Sequence, residues 1–188
     1  MPLALQYCGT WRRDLHKPFR MLNRFAPFAL SLLVVLGDRW SKLGIQHSMS
    51  SFDSVSIIPG WLRIIHTENP GAAFGILAQG NPWLRSGILI GVSALVLVFV
   101  ISALWGQRTT FTNPIPRAAL ALILGGAAGN LYDRVVHGTV TDFIEVYHGG
   151  WSFPAFNVAD SAITIGAILL LLEVMRPRRK QASLAHSE

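Results

Sequence analysis

Four long apolar stretches dominate the sequence, and they cover Phe25 to Ile45, Ser86 to Trp105, Ala118 to Val136 and Phe156 to Met175. A helix needs about 20 mostly apolar residues to cross a bilayer. Only the second stretch has no charged residue, whereas the other three carry charges, most of them near one end. The pattern predicts an all-α membrane protein with four transmembrane helices.

The connection between the first two predicted helices, residues 47–82, is too long for a bare turn. Val55 to Thr67 holds two runs of branched and aromatic residues around Pro59-Gly60, which is a pattern typical of short β-strands. We therefore expect a small β-rich insertion outside the membrane. The connection between the third and fourth helices, residues 137–156, is predicted to be a loop.

The basic residues flank the apolar stretches. Eleven of the 16 lysines and arginines fall in three groups: Arg12, Arg13, Lys17, Arg20 and Arg24; Arg108 and Arg117; Arg176, Arg178, Arg179 and Lys180. Cytoplasmic loops of membrane proteins carry an excess of Lys and Arg, so this placement predicts that both termini are cytoplasmic. It also explains the net charge of +6 without a nucleic-acid partner.

These boundaries divide the chain into a basic cytoplasmic extension (1–24), a four-helix membrane domain (25–175) with outer loops 47–82 and 137–156, and a basic cytoplasmic tail (176–188). A cleaved signal peptide is the alternative for the first stretch. Asp38, Arg39 and Lys42 stand where a small-residue cleavage site would be needed, so we expect the helix to be retained.

Composition agrees with a membrane protein. Hydrophobic residues make up 51% of the chain, charged residues only 14%, and the mean hydropathy is +0.41. Soluble domains have about a quarter of their residues charged. The single cysteine, Cys8, excludes an intramolecular disulfide and is interpreted as an incidental thiol.

On this topology, seven of the ten acidic residues fall in the outer half of the protein. Ionisable residues within membrane spans are costly and are functional candidates by default. One polar cluster, residues 125–134, lies at the end of the third helix, and another, residues 157–160, lies at the start of the fourth. The loop between them contains Thr141-Asp142-Phe143. Three aspartates can therefore meet at one depth. The seven acids are Asp38, Asp53, Glu68, Asp133, Asp142, Glu145 and Asp160.

Two carboxylates that share one proton can hydrolyse a peptide bond without a metal or an activated Ser or Cys, because close like charges separate their pKa values. The sequence has no recognisable nucleophile turn, and its six histidines form no HExxH-type spacing. We therefore expect no metal and no cofactor. The adjacent Arg134 would keep Asp133 ionised. This favours Asp142 over Asp133 as a member of such a carboxylate pair.

Five motifs, in this order along residues 25–175, resemble the lipoprotein signal peptidases, also called signal peptidase II. The family removes signal peptides from bacterial prolipoproteins and cleaves before the diacylglyceryl-modified cysteine. The motifs are Gly37-Asp38-Arg39-Trp40-Ser41-Lys42, Asn69-Pro70-Gly71-Ala72-Ala73-Phe74-Gly75, Gly129-Asn130-Leu131-Tyr132-Asp133-Arg134, Val140-Thr141-Asp142-Phe143 and Phe156-Asn157-Val158-Ala159-Asp160.

The resemblance implies an aspartic peptidase in the bacterial inner membrane, with its active site at the periplasmic face. It assigns the catalytic pair to Asp142 as general base and Asp160 as general acid, with Asp133 as the rival of Asp142. It further implies a set of substrate-binding and supporting residues, in which Asp38 and Lys42 support the fold or the lipid-contacting region. That set is Asn69, Asn130, Asp133, Arg134, Asn157, Asp38 and Lys42.

Several plainer alternatives remain open at this stage. Asp38 and Lys42 can be a simple intrahelical ion pair at i,i+4, and Asp142 can be a solvated loop acid. The expected partners are a lipid-modified prolipoprotein and membrane lipids, and the chain is expected to be a monomer. A small ion-coupled transporter is the alternative from another class, because acids in membrane spans also mark proton relays. A structural membrane subunit is a third.

Overall fold

A computed structural model describes residues 16–51, 53–71, 81–106 and 114–176, with side chains described from residue 25 onward. It contains four long helices: α1 (His16–Ser48), α2 (Pro82–Gly106), α3 (Pro114–Val136) and α4 (Val158–Met175). Each predicted apolar stretch is therefore helical. The predicted terminal extensions up to residue 15 and beyond 176, with Cys8, lie outside the described residues, as do Ala72–Gly75 of the second motif and Arg108.

The length and composition of two helices, α2 and α4, are sufficient to cross a membrane. In α1 and α3 the apolar run is interrupted by charges, but three of these residues, Asp38, Lys42 and Asp133, are buried. Asp38 is 1% exposed and Lys42 is 0% exposed, whereas Leu32, Leu33 and Leu36 on the same helix are more than half exposed. The outer surface of α1 is consequently as apolar as a lipid-facing helix requires.

Helix α3 is the central element, and it packs against α1, α2 and α4. Two adjacent glycines make this possible. A Cβ atom on Gly125 would lie 2.6 Å from the Ser31 carbonyl oxygen of α1, and a Cβ atom on Gly126 would overlap the Ala159 carbonyl oxygen of α4. Small residues allow helices in a membrane to approach closely. The glycine cluster read from the sequence therefore contacts neighbouring helices.

A four-stranded antiparallel sheet, in the order β1-β2-β3-β4, covers one end of the bundle. The strands are β1 (Ser54–Ile58), β2 (Leu62–Asn69), β3 (Val140–His148) and β4 (Trp151–Ser152). The predicted hairpin between the first two helices is confirmed. The prediction of a loop between the third and fourth helices is wrong, since that segment supplies half of the sheet.

The physical reason lies in strand pairing. Six of the eight residues 140–147 are β-branched or aromatic, but a short strand of this kind is stable only beside a partner. Strand β2 provides this partner along the antiparallel register Leu62↔Val146 to Asn69↔Val140. The register shifts between Ile64 and Thr67. Asp142 therefore lies in a strand rather than in a solvated loop.

Candidate active site

Asp142 is buried in strand β3 and is 3% exposed. Its Oδ2 accepts a hydrogen bond of 2.9 Å from Asn69 Nδ2, and its Oδ1 accepts one of 2.7 Å from Asn157 Nδ2. Burial raises the pKa of Asp142 to about 6, against the effect of the hydrogen bond from Asn69, and the negative charge of Asp160 acts in the same direction as burial. At this pKa the carboxyl group can hold or release a proton near neutral pH.

Asp160 lies in the first turn of α4, where it forms a capping box with Asn157. The Asp160 backbone N–H donates to Asn157 Oδ1 (2.9 Å), and Asp160 Oδ2 accepts from the Asn157 backbone N–H (3.2 Å). Asp160 Oδ1 accepts a third hydrogen bond from Asn130 Nδ2 at 2.7 Å. The positive end of the helix dipole also lies at this position.

Asn157 joins the two aspartates. Its side chain is fully buried, accepts from the Asp160 backbone and donates to the Asp142 carboxylate. Because the amide oxygen must face a backbone N–H, the amide nitrogen is left to point at Asp142. One residue therefore fixes the two carboxyl groups relative to each other.

A buried ion cluster lies directly beside this pair. Lys42 Nζ donates to Asp38 Oδ2 (2.7 Å), to Asp133 Oδ2 (2.7 Å) and to Asn130 Oδ1 (3.1 Å). An ammonium group has three donors and no acceptor, so all of its hydrogen-bonding capacity is used. Because Lys42 holds the oxygen of Asn130, the amide nitrogen of Asn130 is directed toward Asp160.

The cluster also connects the helices around the site. Asp38 Oδ1 accepts a 2.9 Å hydrogen bond from the Ala159 backbone, and Arg39 lies 3.3 Å from Asp133 Oδ1. Asp133 is therefore bound by two cations, whereas Asp142 is bound only by amide groups in the contacts described above. The two aspartates that the sequence left as rivals therefore have different surroundings.

Arg134 lies at the edge of the site and is partly buried. One guanidinium nitrogen donates to the Asn130 carbonyl oxygen (3.2 Å), while its buried Nε has no hydrogen-bond partner in the described part of the chain. Its positive charge interacts with Asp160, Asp142 and Asp133. This charge lowers the cost of bringing several carboxylates together.

The remaining outer acids divide into two kinds. Asp53 binds the Ser50 backbone in an exposed turn, and Glu145 pairs with Arg63 across the sheet, so neither joins the site. Glu68, to which the sequence gave no role, forms a polar network behind Asp142 with Gln46, His66, Thr139 and Thr141. In the sequence, only its position beside Asn69 in a predicted strand could have indicated a role for Glu68.

Among the described residues, no group of three or more His, Cys, Asp or Glu side chains could hold a metal ion.

Comparison with known proteins places the chain in a family. The family model described as Signal peptidase (SPase) II matches residues 30–176. A lipoprotein signal peptidase of Solibacter usitatus is 38% identical over 165 residues, covering 86% of this chain and 98% of the relative. A lipoprotein signal peptidase of Pseudomonas syringae pv. tomato is 43% identical over 162 residues, covering 84% and 90%.

Two solved structures share the fold, and both are described as a bacterial membrane enzyme studied by the in meso method. One, at 1.9 Å resolution, has a TM-score of 0.70 and 32% identity and covers 80% of this chain and 93% of its own. The other, at 2.3 Å, has a TM-score of 0.73 and 30% identity and covers 86% and 94%. The transporter alternative is not favoured by these similarities. The chain belongs to the signal peptidase II family and is a membrane peptidase of the aspartic type.

Proposed function

We propose that this enzyme removes signal peptides from diacylglyceryl-modified prolipoproteins, cutting before the lipidated cysteine, with Asp142 and Asp160 as its catalytic pair. The names of the relatives support the substrate class. The observation that carries the assignment is the bridge through Asn157, which hydrogen-bonds Asp142 and Asp160 at the same time.

In the proposed mechanism, the two carboxyl groups hold one proton between them before reaction. Asp142 is the member of the pair whose pKa is raised, to about 6, so we assign the shared proton to Asp142 and the role of base to Asp160. Asp160 takes a proton from water as the water oxygen attacks the scissile carbonyl carbon, and Asp142 donates its proton to the carbonyl oxygen. The order of base and acid is thus the reverse of that expected from the sequence.

The second half of the reaction returns both protons. The tetrahedral intermediate collapses as its C–N bond breaks, Asp160 protonates the leaving amine, and a hydroxyl proton of the intermediate returns to Asp142. One water is consumed, and a carboxyl group and an amine are produced. The pair ends in the protonation state in which it began, ready for another turnover.

We further propose that all four helices span the bacterial inner membrane, with cytoplasmic termini, a periplasmic active site and a monomeric enzyme. In support, Asp38, Lys42 and Asp133 of α1 and α3 are buried. Helix α4 exposes Ile165, Ile168 and Leu171. Of the basic groups, Arg117 and Arg176 lie at the ends of α3 and α4 opposite to the aspartate pair. The signal peptide would reach the pair laterally, from within the bilayer.

Cleavage of a diacylglyceryl prolipoprotein by purified single variants in detergent tests this function. Asp142→Asn and Asp160→Asn should each reduce kcat by at least about 1,000-fold while remaining folded, since each removes one proton-transfer group. Asp53→Asn, in an exposed turn of the outer region, is the matched control and should retain wild-type turnover.

Asp133→Asn separates the two rival assignments. Because Asp133 is bound by Lys42 and Arg39, its substitution should lower the thermal midpoint, and the folded fraction should retain activity. Near-wild-type turnover in folded Asp142→Asn, together with an inactive but stable Asp133→Asn, would transfer the catalytic role to Asp133.

A further inference from the structure

Glu68 holds a polar network on the side of strand β2 opposite to Asn69. Its Oε2 accepts a hydrogen bond from Thr139 Oγ1 (2.7 Å), and its Oε1 accepts from Thr141 Oγ1 (2.9 Å). His66 Nε2 lies 3.1 Å from the same Oε1. Burial alone would raise the pKa of Glu68, but these hydrogen bonds together hold it below its ordinary value. Glu68 is therefore an ionised acceptor.

The network reaches from α1 to both central strands. Gln46 Nε2 donates to Thr141 Oγ1 (2.6 Å), whose hydroxyl in turn donates to Glu68. His66 Nδ1 lies 2.9 Å from the Met49 carbonyl oxygen, just beyond the end of α1. From Gln46 through Thr141 to Glu68 each group donates to the next, and the network connects the β2–β3 ladder to α1.

The register of the ladder relates this network to the catalytic pair. Glu68 faces Thr141, Asn69 faces Val140, and Thr67 faces Asp142. Because side chains alternate along a strand, the pair Glu68 and Thr141 lies on one face while Asn69 and Asp142 lie on the other. The hydrogen bonds of these four side chains follow this division.

The pairing of β2 with β3 is irregular beside Glu68, so additional contacts are needed there to fix its register. A register shift between Ile64 and Thr67 interrupts the pairing immediately before Glu68, and strand irregularities of this kind redirect the side chains beside them. A slip of one residue would move Asn69 to the opposite face, away from Asp142. Glu68 binds Thr139 and Thr141, the residues that flank Val140, which is the register partner of Asn69.

We propose that Glu68 is a positioning residue for the reaction, which holds β2 in register with β3 and so keeps the Asn69 amide on the Asp142 carboxylate. This inference rests on the proposed function of Asp142. It assigns a role in the reaction to a residue that touches neither substrate nor catalytic carboxylate, and whose side chain is 38% exposed.

The pH dependence of kcat/KM distinguishes positioning from a general loss of stability. The hydrogen bond from Asn69 lowers the pKa of Asp142, so loosening it should move the limb at which Asp142 deprotonates to higher pH. Removing the negative charge of Glu68 without moving Asn69 would shift that limb to lower pH. A smaller folded fraction would lower kcat/KM equally at every pH. The sign of the shift therefore separates the three explanations.

The test compares Glu68→Ala with Asp53→Ala, another outer acid that binds only an exposed backbone N–H in the described part of the chain. Cleavage of a diacylglyceryl prolipoprotein in detergent is measured across the pH range. Glu68→Ala should lower kcat/KM by about tenfold, as expected for the loss of one catalytic orientation, and should move the basic limb up by about half a pH unit or more. Asp53→Ala should match the wild type in both.

A second pair of variants, at Thr141, tests the same role if Glu68→Ala does not fold. Thr141→Val keeps the shape of Thr141 but removes the hydroxyl that binds Glu68, whereas Thr141→Ser keeps the hydroxyl. The valine variant should show the same upward shift, and the serine variant should restore the wild-type profile. An unmoved or lowered basic limb in folded Glu68→Ala or Thr141→Val would overturn the positioning role. Activity in folded Asp142→Asn would instead overturn the proposed function.

Discussion

Replacing Asp142 by asparagine should change how the stability of the protein depends on pH. In the folded protein Asp142 has a pKa of about 6, compared with its ordinary value of 3.8, because the carboxyl group is buried and lies near Asp160. An asparagine has nearly the same shape but does not titrate. The substitution therefore removes one specific contribution to the pH dependence of unfolding.

The sign and size follow from proton linkage. Between pH 3.8 and about 6, the folded state retains a proton on Asp142 that the unfolded state has lost, so stability falls as the pH rises through this window. Raising the pKa of one group by this amount corresponds to about 3 kcal/mol, reached above the upper end of the window. For a chain of this size, about 3 kcal/mol is roughly 6 to 12 °C in thermal midpoint.

Thermal unfolding of wild type and Asp142→Asn in one detergent, from about pH 3.5 to about pH 7.5, measures this effect over the window set by the linkage. The variant also turns an amide N–H₂ toward Asn69 or Asn157, which are donors, but this cost is the same at every pH. The difference in midpoint should therefore shift in favour of the variant as the pH rises, and Asp53→Asn should follow the wild type. A difference that stays constant with pH would refute the raised pKa and with it the assignment of the resting proton to Asp142.

Two further predictions concern the helices that support the site. Lys42→Met leaves the buried carboxylates of Asp38 and Asp133 without their shared cation, so it should destabilise the protein by about 3–5 kcal/mol; a loss below about 1 kcal/mol in thermal or denaturant unfolding would contradict the cluster. Gly126→Ala places a methyl group against the Ala159 carbonyl oxygen and should cost about 1–3 kcal/mol, whereas an unchanged midpoint would show that α3 and α4 separate easily.

Local sequence patterns predict the helices and the first hairpin well. Long apolar runs report helices directly, because each residue needs only its own chain neighbours for backbone hydrogen bonds. The hairpin around Pro59-Gly60 is equally local, and the structure has β1 and β2 on either side of it. The sequence also predicted that Asp142 and Asp160 lie close together, because the predicted helix directions bring their segments to one depth.

The parts that could not be predicted depend on contacts between distant segments. Strand β3 needs β2 as a partner, and these two lie more than 70 residues apart in the sequence. Lys42 could be paired with Asp38 from their i,i+4 spacing, but its contact with Asp133 on α3 depends on how the helices pack. The link from Asn157 to Asp142 likewise requires the end of β2–β3 to meet the start of α4.

The central claim is that Asp142 and Asp160 act as a single catalytic unit, and a double-mutant cycle on kcat tests it most directly. Groups that act together are strongly non-additive, since removing either one already abolishes their joint contribution. Asp142→Asn, Asp160→Asn and the double variant should therefore lose similar activity, at least about 1,000-fold each. Losses that multiply in the folded double variant, or near-wild-type turnover in either single variant, would contradict the claim.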